Sequence, residues 1–203
     1  MPYSPRDRDS IRESIKKSDI VINMIGKHYE TKHLVPTRRA DGNLSRVNYS
    51  LEEVHVTIPR TIAEVCKEVG VEKFIHVSAL SADINSSSIW SQTKARGEIA
   101  VREVIPDSVS FLLLLAHPTK LLFLYFLTRL FFLLTYESQI IVKPATIFGP
   151  EDRFLTWIAE AITRMRYFPL LNNGSTLVQP VYAHDVGKAL HTLVQVRNTS
   201  THF

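Results

Sequence analysis

Apolar residues along the chain form two kinds of run, and together they predict alternating strands and helices. Continuous apolar runs at 20–26, 73–79 and 140–142 are typical of strands that helices cover on both faces of a parallel sheet. Between the first two runs, apolar residues recur at three- and four-residue steps from 51 to 69, which indicates one face of a helix. This alternation implies crossover connections, so the sequence predicts a doubly wound α/β fold with a parallel sheet.

Four helices are predicted from apolar spacing and from residues that start or end helices. The first covers about 10–17, where Ser10 and Glu13 have the spacing of a capping box. The second begins near Thr57, because Pro59 is tolerated only in a first turn, and it ends at Gly70. The others cover about 88–103 and 186–194.

Composition and charge narrow the class of protein. With 203 residues, 45% hydrophobic and 22% charged, the chain is long enough for one globular domain plus a fragment. The net charge of +4 weakly favours an acidic partner, such as a phosphate-bearing cofactor or an anionic lipid surface. Aromatic and basic residues are not interleaved in one stripe, so nucleic acid is not an expected partner. Cys66, the single cysteine, offers neither an internal disulfide nor a metal cluster, which favours a reducing compartment.

Ligands of doubly wound sheets bind beyond the carboxyl ends of the strands. The residues that follow the predicted strands are therefore the candidate site: Gly26, Ser78 to Leu80, and 143–149. His76 lies inside a strand run and is predicted to be a core histidine. Asp152 and Arg153 are predicted to form a local polar clasp, and Asp185 to cap the last helix.

Five segments, in order, resemble the extended and atypical short-chain dehydrogenase/reductase superfamily. They are the strand 19–26, the helix from 54 to 71, the strand 74–80, the loop 143–154 and the segment 180–189, with the sequences DIVINMIG, VHV…EVGV, FIHVSAL, KPATIFGPEDRF and PVYAHDVGKA. Within the superfamily, GKHYETK, VEKFIHVSAL and PATIFGPEDRF resemble the nucleotide-binding accessory subunits of mitochondrial complex I. The resemblance covers most of 6–107 and 139–195.

The resemblance implies a Rossmann-like NAD(P)-binding fold with NADPH as its cofactor. It implies that Gly26, Ser78, Lys94, Pro144 and Ile147 lie at the cofactor. Other complex I subunits and contact with the inner-membrane surface are the implied partners, on the matrix side of the inner membrane. No presequence is visible near Met1.

Active members of the superfamily carry Tyr-x-x-x-Lys on a helix, where the lysine lowers the pKa of the phenol that donates a proton. Trp90 and Lys94 occupy the matching positions here. An indole N–H is not an acid near neutral pH, so no catalytic residue is predicted. Lys94 and Ser78 keep their polar groups, and Trp90 is predicted to be a packing residue.

The superfamily normally opens with a strand and a glycine-rich loop whose backbone N–H groups hold the diphosphate. The seven glycines of this sequence do not cluster, and the chain begins at what resembles the third strand–helix unit. We therefore expect a fold that is incomplete at its N-terminus, and a chain that binds NADPH poorly or not at all.

Two segments interrupt the resemblance. The domain is predicted to comprise 1–107 and 139–203, with 108–138 as an apolar insertion. Three interpretations of this insertion remain open: translated non-coding sequence from an alternative transcript, a membrane-contacting helical hairpin, or a helix buried against its own domain. The segment 32–47 is predicted to be a second, polar and flexible insertion.

Three functions follow as hypotheses. The first is a non-catalytic accessory subunit of complex I that supports assembly and holds any dinucleotide structurally. The second is an active atypical reductase or epimerase that uses NAD(P)H. The third is a small membrane protein anchored by 111–134.

Overall fold

The computed structural model describes residues 3–29, 36–38, 44–46, 49–106, 108–113, 139–150, 152, 154–165, 171–175 and 178–195. The chain divides into two compact units, Met1–Ser110 with Ser138–Ile141, and Phe111–Glu137 with Val142–Phe203. The predicted division into a domain and an insertion stays a prediction.

The described strands and helices alternate through most of the chain. The strands are β1 Ile20–Asn23, β2 Pro36–Arg38, β3 Leu44–Arg46, β4 Lys73–Val77, β5 Ser108–Leu113, β6 Gln139–Pro144, β7 Ile147–Phe148 and β8 Val181–Tyr182. The helices are α1 Arg8–Ile15, α2 Ile58–Val69, α3 Ile89–Val104, α4 Phe154–Arg164 and α5 Ala183–Gln195.

The largest sheet has four strands in the order β1, β4, β6 and β5. β1 and β4 run parallel, with Ile20 opposite Lys73 and Asn23 opposite His76. The connection between them passes through α2, as a crossover between parallel strands requires. The predicted α/β fold with parallel strands is confirmed.

The prediction that β1 is buried on both faces is wrong. β1 is an edge strand of the described sheet, and the side chain of Ile22 is 37% exposed. β4 lies between two strands, and Phe74 and Ile75 are fully buried there. An apolar run therefore did not distinguish an edge strand from a central one.

The start of α1 also differs from the prediction. The N-cap is Asp7, whose side chain accepts a hydrogen bond from the backbone N–H of Asp9. Ser10 lies inside the helix and is buried, and its hydroxyl oxygen accepts from the backbone N–H of Ser4 at 2.9 Å. Because that oxygen is already bonded in the interior, Ser10 does not cap the helix.

The second helix follows the prediction closely. A π-helical turn, Glu53–Thr57, leads directly into α2, and Pro59 lies in the first turn of α2. Gly70 ends the helix with a φ of 80°, a left-handed conformation that glycine adopts without steric cost. Apolar residues of α1, α2 and β4 pack into one core beneath this helix, with Ile11, Ile62, Val65 and Phe74 among its buried members.

The two segments predicted to be insertions are described only in part. The first six residues of 108–138 form β5 in the sheet, and the remainder, 114–138, lies outside the described residues. Within 32–47, β2 and β3 pair antiparallel, with Thr37 opposite Ser45. Among the helices that the structure describes, none combines the length and the apolar character needed to cross a bilayer.

The second unit contains a short parallel pair, in which Ile147 lies opposite Val181 and Phe148 opposite Tyr182. The Asp152 carboxylate accepts hydrogen bonds from the backbone N–H groups of Gly149 at 3.0 Å and Leu155 at 2.6 Å. These bonds lower the pKa of Asp152 and tie the loop to the start of α4. The Asp152 part of the predicted clasp is confirmed, and Arg153 lies outside the described residues.

The predicted cap of the last helix is wrong. α5 begins at Ala183, immediately after β8, so Asp185 lies within the first turn rather than at its cap. A carboxylate in the first turn still interacts favourably with the positive end of the helix dipole.

Candidate functional site

The first unit brings three of the five predicted site residues to one end of the sheet. Gly26 follows β1, and Ser78 follows β4, its parallel neighbour. Lys94 lies on α3, and its Nζ atom is 3.6 Å from the position that a Cβ atom on Gly26 would occupy. The hydroxyl of Ser78 reaches the same helix by donating to Glu98 Oε1 at 2.6 Å. Because Glu98 follows Lys94 by four residues, both lie on one helix face.

Pro144 and Ile147 belong to the second unit. Pro144 ends β6 and is buried, whereas Ile147 begins β7 and is 40% exposed. A cofactor contact at these two residues stays a prediction.

Lys94 is a buried amine. Its side chain is 8% exposed, and it has no hydrogen-bond partner among the residues that the structure describes. Its Nζ atom lies 5.9 Å from the centroid of the Trp90 ring, within range of a cation–π attraction. Burial lowers the pKa of Lys94 to about 8, against the opposing effect of the Glu98 carboxylate.

Trp90 is held by a hydrogen bond as well as by packing. Its indole Nε1 donates to the backbone carbonyl of Lys27 at 2.8 Å, and its ring meets that of His28 edge to face at 5.4 Å between centroids. An indole has a single donor, and this bond uses it. The half-buried ring therefore joins α3 to the turn after β1.

His55 is buried at the centre of this junction. The hydroxyl oxygen of Thr93 lies 2.8 Å from His55 Nδ1 and 2.9 Å from the carbonyl oxygen of Trp90. His55 Nε2 lies 2.9 Å from the carbonyl oxygen of Lys27 and 3.2 Å from its backbone nitrogen, so the imidazole bonds the main chain of Lys27. Burial, with Lys94 nearby, lowers the pKa of His55 to about 4, which keeps the imidazole neutral at pH 7.

The hydroxyl of Ser78 is also used within the protein. Ser78 and Glu98 are 4% and 5% exposed, and the serine proton points at the carboxylate. The other carboxylate oxygen of Glu98 lies 3.8 Å from an Arg102 guanidinium nitrogen. Since a serine has one proton to donate, this hydroxyl has none left for the carbonyl oxygen of a ligand.

His76 is a core residue, as predicted. Asn23 uses its carbonyl oxygen to accept from the backbone N–H of Ile25, so its amide nitrogen donates to His76 Nδ1 at 3.1 Å. Burial lowers the pKa of His76 to about 3. The histidine is therefore neutral and joins β4 to β1.

The site has no free proton donor at Trp90 or Ser78, but it keeps the amine of Lys94. The side-chain donors of Trp90, on the same helix as Lys94, and of Ser78, after β4, are both bonded to groups of the protein. Lys94 can still offer an N–H or a lone pair to a ligand. Glu98 and His55 were not predicted as site residues. The sequence signal for Glu98 is its four-residue spacing from Lys94.

The described residues fit a dinucleotide only in part. An unpartnered amine beside a glycine turn suits a hydroxyl-rich group such as a ribose, which Lys94 would hold. Neither Trp90 nor Ser78 has a free proton for a substrate carbonyl at the nicotinamide end. Along the sequence, the seven glycines are all far apart, so none of them forms the closely spaced glycine motif that wraps a diphosphate.

Comparison with known proteins places this geometry in context. No family model matches the chain. It is 37% identical over 194 residues to NADH dehydrogenase (ubiquinone) 1 alpha subcomplex subunit 9, mitochondrial, of Mus musculus, which covers 94% of this chain and 38% of the relative. It is 32% identical over 199 residues to the NADH-ubiquinone oxidoreductase 40 kDa subunit, mitochondrial, of Neurospora crassa, covering 98% of this chain and 40% of the relative. The chain thus spans less than half the length of these curated relatives.

Solved structures share the fold at low sequence identity. A dTDP-4-dehydrorhamnose reductase of Clostridium acetobutylicum aligns with 94% of this chain and 57% of its own, at a TM-score of 0.60 and 13% identity. A mutant UDP-glucuronic acid 4-epimerase of Bacillus cereus, in complex with a nucleotide sugar and NAD, aligns with 96% of this chain and 55% of its own, at a TM-score of 0.57 and 14% identity. The chain therefore shares the fold of these two proteins, and the epimerase holds NAD in its structure.

Proposed function

We propose that the chain belongs to the family of mitochondrial NADH dehydrogenase (ubiquinone) alpha subcomplex subunit 9 and is an accessory, non-catalytic subunit of respiratory complex I. The proposal is supported by the chain's sequence identity to such subunits over 94% or more of its own length. Its role in this proposal is to support assembly and stability from the matrix side of the inner membrane. Its partners are other complex I subunits, with contact to the membrane surface.

One observation carries the non-catalytic part of the proposal. The indole N–H of Trp90 is bonded to the Lys27 carbonyl, and the hydroxyl of Ser78 is bonded to Glu98. Reduction of a carbonyl needs a proton donor positioned at the developing alkoxide. Neither group is free to supply one, so the fold serves here as a scaffold. A dinucleotide, where held, is held structurally, and we expect the 203-residue chain to bind NADPH weakly.

Incorporation into complex I tests the proposed role. We expect the full chain, carrying a small C-terminal tag in cultured mouse cells, to co-migrate with complex I on a native gel of digitonin-solubilised mitochondria. A carbonate wash should release it from mitochondrial membranes, since a subunit held by protein contacts is not anchored in the bilayer.

A variant separates assembly from chemistry. Lys94→Met should co-migrate to the same extent as the unaltered chain, because the proposed role needs no reaction at Lys94. Absence of the tagged chain from the complex I band would contradict the proposal, and resistance to carbonate would favour a membrane-anchored protein instead.

A further inference from the structure

Lys94 differs in its surroundings from the arginines near the start of the chain. Arg6, Arg8 and Arg12 are substantially exposed and bridge to carboxylates. Lys94, at 8% exposure, has no hydrogen bond to any described residue. A buried ammonium without an acceptor is costly, so this position favours the neutral amine, whose nitrogen carries a lone pair.

The position of Lys94 leaves one side of the amine open to a small molecule. Gly26 is exposed and has no side chain, and a methyl group there would come within 3.6 Å of Nζ without clashing. The indole of Trp90 lies on another side at 5.9 Å. The nitrogen therefore faces the exposed turn after β1, from which a reagent of a few atoms can approach it.

The charged and titratable groups around Lys94 do not cancel the effect of burial, which lowers its pKa. Glu98 on the same helix favours the ammonium, but burial outweighs it and lowers the pKa of Lys94 to about 8. His55 and His76, from the π turn and β4, are neutral at pH 7 because burial lowers their pKa values to about 4 and about 3. On the turn after β1, the ammonium of Lys27 donates to the carbonyl of Tyr49.

We propose that Lys94 is a nucleophilic amine that condenses with small aldehydes. The lone pair of Nζ attacks the carbonyl carbon, and a C–N bond forms. The carbonyl oxygen then leaves as water, taking the two protons of the amine, and a C=N bond remains. No oxidant or reductant enters this step, and the adduct is reversible by hydrolysis. The proposal concerns the chemistry of one side chain and is independent of assembly into complex I.

Reductive trapping tests the proposal in the full chain. Acetaldehyde with cyanoborohydride converts each imine to an N-ethyl amine, which peptide mass spectrometry assigns to a lysine. At pH 7.5 about a quarter of an amine with a pKa of 8 is neutral, whereas only about a thousandth is neutral at the ordinary lysine pKa. We therefore expect Lys94 to react at least about tenfold faster than Lys188. Lys188 is an exposed lysine of α5 and serves as the internal reference.

The pH profile and two variants complete the test. The rate at Lys94 should reach half its maximum near pH 8, and Glu98→Gln should move this midpoint lower because it removes the charge that favours the ammonium. Gly26→Leu should lower the rate of modification at Lys94 and leave the rate at Lys188 unchanged, because the leucine side chain obstructs the approach to Nζ. A folded chain whose Lys94 stays unmodified, or reacts only above about pH 10, would overturn the proposal, as would a midpoint that Glu98→Gln leaves in place.

Discussion

Replacing Gly97 with alanine is expected to destabilise the protein by about 3 kcal/mol, at the upper end of the usual cost of overpacking. α3 passes so close to the π turn that a Cβ atom on Gly97 would lie 1.9 Å from the carbonyl oxygen of His55 and 3.0 Å from its carbonyl carbon. Both are backbone atoms, so the helix and the turn must separate. Since His55 also bonds Lys27 and Thr93, the separation should disturb the whole junction around Trp90.

The same substitution at Gly187 provides a matched control. Gly187 lies in α5, and a Cβ atom there would meet no atom of the described residues within 4 Å. Alanine is the better helix former, so Gly187→Ala should stabilise the protein by up to about 1 kcal/mol. Urea unfolding of the three proteins measures both effects. A Gly97→Ala variant as stable as the unaltered chain would show that the close approach of α3 to His55 is not present in solution.

Lowering the pH from 7 to 5 is expected to reduce the free energy of unfolding by about 4 kcal/mol. His55 and His76 are neutral in the folded protein, with pKa values lowered to about 4 and about 3, whereas both titrate at 6.5 when exposed. Between these values the unfolded chain binds more protons than the folded one. Stability is therefore present above pH 6.5 and is lost as the pH falls towards 4, each histidine contributing about half.

Between pH 7 and 5 the change in stability comes from the histidines rather than from the carboxylates. The carboxylates whose pKa values are lowered, such as those of Glu53 and Glu68, begin to lose their contribution below about pH 4.5. His76→Gln keeps a neutral polar side chain opposite Asn23, and it should halve the pH slope of stability measured by urea unfolding. Unchanged stability from pH 7 to 5 would mean that the two imidazoles are not buried as described.

Elements set by local sequence were predicted best. Gly70 ends α2 with the left-handed conformation that its position indicated, and the π turn continues into α2 at Thr57, where Pro59 required the regular helix to begin. Such features depend on residues a few positions apart. The cap of α1 was misassigned because Asp7 and Ser10 are both good capping residues, and burial of Ser10 decides between them.

Individual residues of the site could be predicted from the sequence, but their hydrogen-bond partners could not. Gly26, Ser78 and Lys94 follow from strand ends and from the motif of the superfamily, and the structure places all three at one end of the sheet. Their partners could not be predicted, because the bonds that decide the chemistry join distant residues. His55 lies 28 residues from Lys27 along the chain, and Ser78 lies 20 from Glu98.

The absence of a phenol at position 90 was visible in the sequence, but its structural consequence was not. A tryptophan there could have pointed outward and left the site open. Instead its N–H is bonded to the Lys27 carbonyl and is not available to a ligand. Packing and hydrogen bonding around a substituted residue depend on the tertiary fold, which a motif does not specify.

Steady-state NADPH oxidation by the purified 203-residue chain, across a panel of aldehydes, ketones and nucleotide-sugar carbonyls, tests most directly whether the fold works as a scaffold without reductase chemistry. We expect no turnover above that of a Lys94→Ala variant, because Trp90 and Ser78 have no proton free to donate. Turnover in the unaltered chain that Lys94→Ala abolishes would contradict the proposed non-catalytic role and establish an active reductase.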